Sequence, residues 1–279
     1  MSTSPTVSVI MSVYREPVSS ISPAIESILA QTYRDFELIV MLDDPQNSSA
    51  EKYLQSLTTR DERVKFHKNE KNIGLGAALN TAVSLASGRY LARMDTEDRS
   101  FSTRFEKQIT YLEANPEVDL LFTQWQESFT TGETNVRAVK AADVRHIKKN
   151  FFLKSLLLHP TLVVKREVLE KHPYPAMARP EDLVLFLDLI RLGYHFDLLE
   201  EVLYEYHIDS REKYQKVRTY SKNLLPHLLR HIPHYWLNVY FWFYVLRVFV
   251  EYLLSRSEFI YTRTASLLAR VWKTVFRSV

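Results

Sequence analysis

An α/β architecture with a mostly parallel sheet is what this 279-residue sequence predicts, and three observations carry the prediction. Apolar runs of strand length alternate with helical patterns through the first half of the chain. Several of those runs are apolar throughout, as in a sheet covered on both faces. Carboxylates cluster where the second and fourth runs end, and in such sheets ligands sit at the carboxyl ends of the strands.

The expected strands are VSVIMSVY (7–14), FELIVML (36–42), VKFH (64–67), GRYLARM (88–94) and DLLFTQ (119–124). Between the first two lies a helix with Ser19 or Ser20 as N-cap and Pro23 in its first turn, where a missing N–H matters least. Its stripe is Ile21, Ile25, Ile28 and Leu29. GLGAALNTAVSLASG (74–88) is rich in helix formers and ends on Gly88, and TRFEKQITYLEANP ends before Pro116. RPEDLVLFLDLIRLG (179–193) opens a strongly apolar helix with Pro180, Glu181 and Asp182, acidic residues that suit the positive end of the helix dipole.

With 46% hydrophobic residues, the chain is long enough for one large core, or a core plus an appendage. The absence of cysteine excludes a disulfide scaffold, a thiolate zinc site and a cysteine nucleophile, and fits a reducing compartment. MSTSPTVSV has neither the charged region nor the apolar stretch of a signal peptide, so the expected location is cytoplasmic. The net charge of +3 is uneven: four Arg and one Lys against one Glu in residues 252–279 leave residues 1–251 at −1. That is a charged tail on a neutral body, and it argues against nucleic acid as a partner. There is no phosphate-binding GxxxxGK loop, no HExxH and no GxSxG, and GLG at 74–76 lacks the rest of a dinucleotide fingerprint.

The second strand ends in Asp43 and Asp44, the fourth in Asp95, Thr96, Glu97 and Asp98. Any one such pair is as readily a turn or a helix cap. Two on the same sheet edge stay ionised together when a divalent cation lies between them, and hard oxygen ligands suit Mg²⁺ or Mn²⁺ bound to a diphosphate.

VSVIMSVYRE, AIESILAQTYRDFELIVMLDD, NIGLGAALNTAVSLASGRYLARMDTEDRSFSTRFEKQ and LHPTLVVKREVL, in that order, resemble the family 2 glycosyltransferases, inverting GT-A enzymes that use nucleotide-diphospho-sugars. The resemblance covers about residues 6–209. It implies a GT-A catalytic domain over 1–210, with a nucleotide-sugar half at about 1–100 and an acceptor half at about 101–210. Residues 211–279 are then a helical C-terminal region. By the same resemblance Ser12, Tyr14 and Glu16 line the nucleotide pocket, Asp44 meets the base, and Asn72 and Gly74 approach the donor. Arg93 and Asp95 lie near ribose and diphosphate, and Asp95 and Glu97 occupy the ends of the DXD metal motif for Mn²⁺ or Mg²⁺. Glu97 stands where a second Asp is usual, which leaves Asp98 open as the alternative ligand. Glu181 and Asp182 match the Glu-Asp motif whose Asp is the general base, while His159, Pro160 and Thr161 shape the acceptor pocket. The segment at Tyr206, His207, Ile208 and Asp209 departs from the usual Tyr-Arg-x-His.

The implied activity is transfer of a sugar from a nucleotide-diphospho-sugar, a UDP-sugar first, to a glycan or lipid-linked hydroxyl in cell-surface polysaccharide synthesis. Two other classes fit the same residues: a non-catalytic nucleotide-sugar binder, or a membrane scaffold subunit working through its tail. HYWLNVYFWFYVLRVFVEYLL (234–254) predicts a helix lying on the catalytic domain or along a membrane surface, because Arg247 and Glu251 disfavour a span. Arg256, Arg263, Arg270 and Arg277 recur every seven residues, on one stripe about 60° wide, joined by Lys273. Ile260, Leu268, Val271, Trp272, Val275 and Phe276 take the other side. This predicts an in-plane helix over 255–279 on anionic lipid, at the inner face of the membrane. An amphipathic helix packed on its own domain has the same pattern, but one-signed charge brings it no folding benefit.

Overall fold

The structure, a computed structural model, describes residues 4–129, 132–152, 156–177, 179–208, 213–257, 261 and 264, with residues 213–217 described for their backbone alone. Unbroken apolar sequence becomes the centre of the sheet. β1 (Val7–Val13) is buried at every position but one and β2 (Phe36–Leu42) at all seven. They pair in parallel from Val7 opposite Phe36 to Val13 opposite Leu42. β3 (Val64–Lys68) adds in parallel outside β2, and β4 (Tyr90–Met94) on the free side of β1.

Helices α1 (Val18–Leu29), α2 (Ser48–Arg60) and α3 (Leu75–Leu85) make the crossovers. α1 begins earlier than Ser19 or Ser20 would allow. Its N-cap is Pro17, whose carbonyl accepts the N–H groups of Ser20 and Ile21 at 3.0 and 3.2 Å in place of a side-chain cap. Pro23 therefore falls past the first turn and costs one helical hydrogen bond.

α3 stops at Leu85, short of Gly88, because the following residues are drawn into a buried polar knot. Ser87 donates through N–H and Oγ to the Glu37 carboxylate at 2.8 Å, and the Gly88 N–H donates to Ser8 Oγ at 2.8 Å. Burial by itself would raise the Glu37 pKa, but Lys65, Ser8 and Ser87 hold it down to about 2. A Cβ at Gly88 would lie 2.6 Å from the Ser8 nitrogen, so the close approach of the two backbones requires glycine.

Beyond β4 the sheet reverses. β5 (Arg99–Ser100), α4 (Arg104–Ala114), β6 (Leu120–Phe129) and β7 (Thr134–Arg137) are followed by α5 (Ala141–Arg145) and α6 (Ile147–Asn150). A 3₁₀ turn at His159–Thr161 leads into β8 (Val163–Lys165), α7 (Arg166–Lys171), α8 (Glu181–Leu192) and β9 (Phe196–Ile208). β8 lies between β4 and β6, antiparallel to both. β9 runs parallel to β6 with register shifts around Gln124, and β5 is antiparallel to β9. The strand order is β3-β2-β1-β4-β8-β6-β9-β5, with β7 on β6. The parallel sheet expected from the sequence is thus its first half, and the second half is mixed.

The C-terminal region forms α9 (Lys213–Arg230), α10 (Ile232–Tyr235) and α11 (Val239–Leu254). α11 starts at Val239 because the Asn238 side chain accepts from the N–H groups of Tyr240 and Phe241 at 3.0 and 3.2 Å. Phe152, just after α6, packs edge-on against Tyr235 and Phe241, with ring centroids 5.0 and 5.2 Å away. Arg247 pairs with Glu251 at 2.9 Å, as the four-residue spacing predicts. Among the described residues no helix is long and apolar enough to cross a membrane. The helix expected over 255–279 lies almost wholly outside the described residues, and Arg263, Arg270, Lys273 and Arg277 with it.

Candidate active site

The parallel register brings the carboxyl ends of β1, β2 and β4 side by side, since Met11 faces both Val40 and Met94. Asp43 follows β2 and turns inward. Its carboxylate accepts from Asn69 Nδ2 at 2.8 Å, Asn72 Nδ2 at 3.0 Å and the N–H groups of Ile73 and Gly74 at 2.9 Å. The loop before α3 is therefore shaped by one buried carboxylate, and Gly74 supplies the positive φ of 85° that admits the helix. Asn72 and Gly74, expected to approach a donor, are held in place by Asp43.

Asp44 points the other way and pairs with Arg15 at 3.4 Å. Arg15 also lies over the Tyr14 ring, 4.8 Å from its centroid. The Glu16 carboxylate accepts the Tyr14 N–H at 2.6 Å, and Asn47, the N-cap of α2, donates to the carbonyls of Tyr14 and Glu16 at 3.0 and 3.2 Å. The loops after β1 and β2 are fastened together, with Ser12 opposite Met41 at the end of the ladder. Tyr14, Glu16 and Asp44 thus lie on two joined loops, and Asp43, beside Asp44, ties them to the 72–74 loop.

Adjacent carboxylates after β4 are tolerated because the protein places cations among them. Arg93 is buried beneath Asp95, pairs with it and donates to the Met94 carbonyl. Its guanidinium lies close enough to Tyr174, Tyr204 and Glu181 for their charges to act on it as well as that of Asp95. Arg104 of α4, also buried, donates to the Arg93 carbonyl at 3.1 Å, the Leu162 carbonyl at 3.3 Å and Gln108 at 2.9 Å. Asp98 is buried too, its two oxygens accepting from the Tyr204 hydroxyl at 2.9 Å and the His207 N–H at 2.8 Å. Burial, then the charge of Asp95, raises its pKa well above the usual carboxylate range. Of the two residues left open as second ligand, Asp98 is engaged inside the fold, and Glu97 is exposed at the rim.

Asp95 is partly exposed and Glu97 exposed, two hard oxygen donors at one strand end. Among the described residues no group of three or more His, Asp or Glu could hold a metal ion. Two carboxylates suit Mg²⁺ or Mn²⁺ bound through a diphosphate, since such ions take one or two protein carboxylates and complete their shell from phosphate and water.

Across from the knot, α8 presents Glu181, buried, and Asp182, half-buried. Burial first and the Glu181 charge second push Asp182 up to about 6, with Asp95 adding to the effect. The segment carrying this pair rests on α3: a Cβ at Gly76 would come 2.9 Å from the Pro175 carbonyl oxygen and 3.7 Å from Glu181 Cβ. Asn80 of α3 grips the backbone of Tyr174 in both directions at 2.9 Å. His159 bonds the Tyr174 hydroxyl at 2.8 Å, and burial together with Arg93 lowers its pKa well below the usual histidine value. It is a buried, neutral group held by Tyr174. Asp209 lies outside the described residues.

Sequence reasoning missed Arg104, Tyr204 and the inward role of Asp43. Tyr204 carried a signal, the period-two series Val202, Tyr204, Tyr206 and Ile208 of a strand.

Asp43, Asp44, Asp95 and Glu97 thus follow the carboxyl ends of neighbouring parallel strands, where ligands sit in such sheets, and Asp95 is close enough to Asp182 for its charge to act on it. The glycosyl transferase family 2 model matches residues 8–172, and the chain belongs to that family. An uncharacterized glycosyltransferase of Methanocaldococcus jannaschii is 37% identical over 261 residues, 90% of either chain. The Escherichia coli UDP-Glc:alpha-D-GlcNAc-diphosphoundecaprenol beta-1,3-glucosyltransferase WfgD is 30% identical over 186 residues, 66% of this chain and 70% of its own. The mannosyltransferase PcManGT of Pyrobaculum calidifontis, solved with GDP-Man and Mn²⁺, superposes with a TM-score of 0.66 at 17% identity. That superposition covers 98% of this chain and 79% of the other, and it shows the GT-A-like fold.

Proposed function

We propose that this glycosyltransferase moves a sugar, with inversion, from a UDP-sugar to a hydroxyl of a glycan or lipid-linked acceptor in cell-surface polysaccharide synthesis. The observation that carries the reading is Asp182, a carboxyl pushed up to about 6 within electrostatic reach of Asp95, which Arg93 holds. Asp182 accepts the proton of the acceptor hydroxyl as that oxygen attacks the anomeric carbon, and the bond from that carbon to the diphosphate breaks on the opposite side. Glu181 keeps the base from being too weakly basic at neutral pH. Tyr14, Glu16, Ser12 and Asp44 frame the nucleotide, and the loop at Asn72 and Gly74 closes on the donor. Asp95 and Glu97 hold Mn²⁺ or Mg²⁺, which when bound neutralises charge on the leaving diphosphate.

The relative WfgD, named for a UDP-sugar donor and a diphosphoundecaprenol acceptor, supports the donor nucleotide and a lipid-linked acceptor. PcManGT, solved with GDP-Man and Mn²⁺, supports the metal and supplies the rival nucleotide. The net +4 of residues 252–279 supports attachment to an anionic membrane through 255–279, with the enzyme peripheral on the cytoplasmic face.

A thermal-shift screen of UDP- and GDP-sugars with and without Mn²⁺ tests the donor. Stabilisation by a UDP-sugar that needs Mn²⁺ and is lost in Asp95→Ala and Glu97→Ala is expected; unchanged donor affinity in both variants would remove the metal assignment. For the tail, Gln at Arg256, Arg263, Arg270, Lys273 and Arg277 should release the enzyme from anionic vesicles, as should raised salt.

A further inference from the structure

α11 has two apolar faces where the fold uses one. Phe241 and Val248 are buried against the rest of the chain, and Tyr244 joins them through its hydroxyl contact with Tyr220 at 3.1 Å. On the opposite side Val239, Trp242, Phe243, Leu246, Phe249 and Leu253 are all exposed, Leu246 to 50%. At 100° per residue these six lie within one arc about 120° wide. The arc holds no charged residue, and Trp236 and Leu237, exposed to 61% and 78%, extend it past the start of the helix. Large side chains in one contiguous stripe on a soluble surface mark a contact surface.

We infer that this outer face of α11, with Trp236 and Leu237, seats in the interfacial layer of an anionic lipid bilayer. Three observations choose lipid over a second copy of the chain. Residues 213–279 carry eleven Lys and Arg against two Glu, so a symmetric pair across α11 would bring two strongly cationic segments together, whereas anionic lipid attracts them. The Trp242 indole N–H donates to the Trp236 carbonyl at 2.9 Å, so this ring leaves water without an unpaired donor. At the flank of the stripe Arg247 is neutralised by Glu251, and both have stems long enough to keep their heads in the polar layer. The inference rests on the membrane reading above for the sign of the lipid, but on a different surface from the 255–279 tail.

The test uses the full chain and vesicles of phosphatidylcholine with about one third phosphatidylglycerol. In a Trp272→Phe background the tryptophans are Trp125, buried in the sheet, and Trp236 and Trp242 on the stripe. Their emission should shift to the blue on adding vesicles and be quenched by brominated acyl chains. The triple variant Trp242→Gln, Leu246→Gln, Phe249→Gln changes exposed side chains and leaves the tail cations in place. It should partition into these vesicles at least about tenfold less than the wild type, with its donor-induced thermal shift intact. Vesicle binding without bromolipid quenching in the Trp272→Phe protein would overturn the inference, and so would equal sedimentation of triple variant and wild type. A dimer in solution that Leu246→Glu converts to monomer, with no vesicle binding by either, would give the face to a second copy. The five-cation Gln variant and the donor screen report on the tail and the transferase separately, so their failure is distinguishable from this one.

Discussion

Replacing Asp182 by Asn removes the proposed base while keeping its shape and its hydrogen bond from the Leu183 N–H at 2.8 Å. Turnover should fall about 10²–10⁴-fold with donor binding preserved. The structure adds a second signature. Burial and Glu181 raise this carboxyl from an ordinary 3.8 to about 6. A folded-state pKa above the unfolded one means that the native protein favours the protonated form. No penalty exists below about pH 4, and a full one is reached above about pH 6. A rise of this size corresponds to about 3 kcal/mol, and partial solvent access brings the expected penalty down to about 1–2 kcal/mol. Asp182→Asn should therefore melt about 2–8 °C above the wild type at pH 8 and together with it near pH 3.5. In the wild type, kcat/KM on a soluble acceptor should rise through an acid limb near pH 6, falling about tenfold by pH 5. Parallel thermal scans and pH–rate profiles check both. A variant within tenfold of wild-type turnover, or a flat profile from pH 5 to 8, would refute the assignment and return Asp182 to its place in a helix's first turn.

Other outcomes follow from the same contacts. Glu181→Gln should move the acid limb of kcat/KM to lower pH, because the Glu181 charge helps hold the Asp182 pKa up; a limb that stays in place would leave burial and Asp95 as the causes. Arg93→Leu leaves the partly exposed Asp95 without its partner and should destabilise the fold by about 1–3 kcal/mol in urea titrations. Asp43→Ala leaves four N–H donors of the 69–74 loop unmatched, and should cost about 3 kcal/mol of stability and weaken donor binding, both read by thermal shift with and without donor. Gly88→Ala forces Cβ into the Ser8 backbone and should lower the melting temperature without changing the pH profile.

The most legible parts of the sequence were those decided by local pattern. FELIVML gave the bounds of β2 because all seven positions are buried, and Pro116 and Gly193 stop α4 and α8 near where a helix reader would stop them. β5 and β8 have two and three residues, too few for any periodicity, and so the antiparallel half of the sheet was hidden. β9 was masked by Glu200, Glu201 and Glu205, which break its apolar run. The site follows the same division. Strand ends rich in carboxylate were readable, but which of two neighbouring acids turns inward depends on loops: Asp43 is spent on the 69–74 loop and Asp44 meets Arg15. Likewise the engagement of Asp98 needs Tyr204 from a strand more than a hundred residues away, a pairing no window of sequence contains.

The contact at Gly76 bears on how this enzyme can change over evolution. The helix that follows the donor loop and the segment leading to Asp182 are separated by the width of a missing side chain, so neither can be re-spaced without moving the other. Drift in acceptor preference that leaves the donor geometry alone has to enter elsewhere. The C-terminal helices offer such a route, since Asn223 of α9 reaches the Arg179 carbonyl at 2.9 Å, just ahead of the proposed base. If the proposed sites hold, a chain of this design would change acceptor through α9 to α11 while residues 72–76 and 174–182 are inherited as one unit.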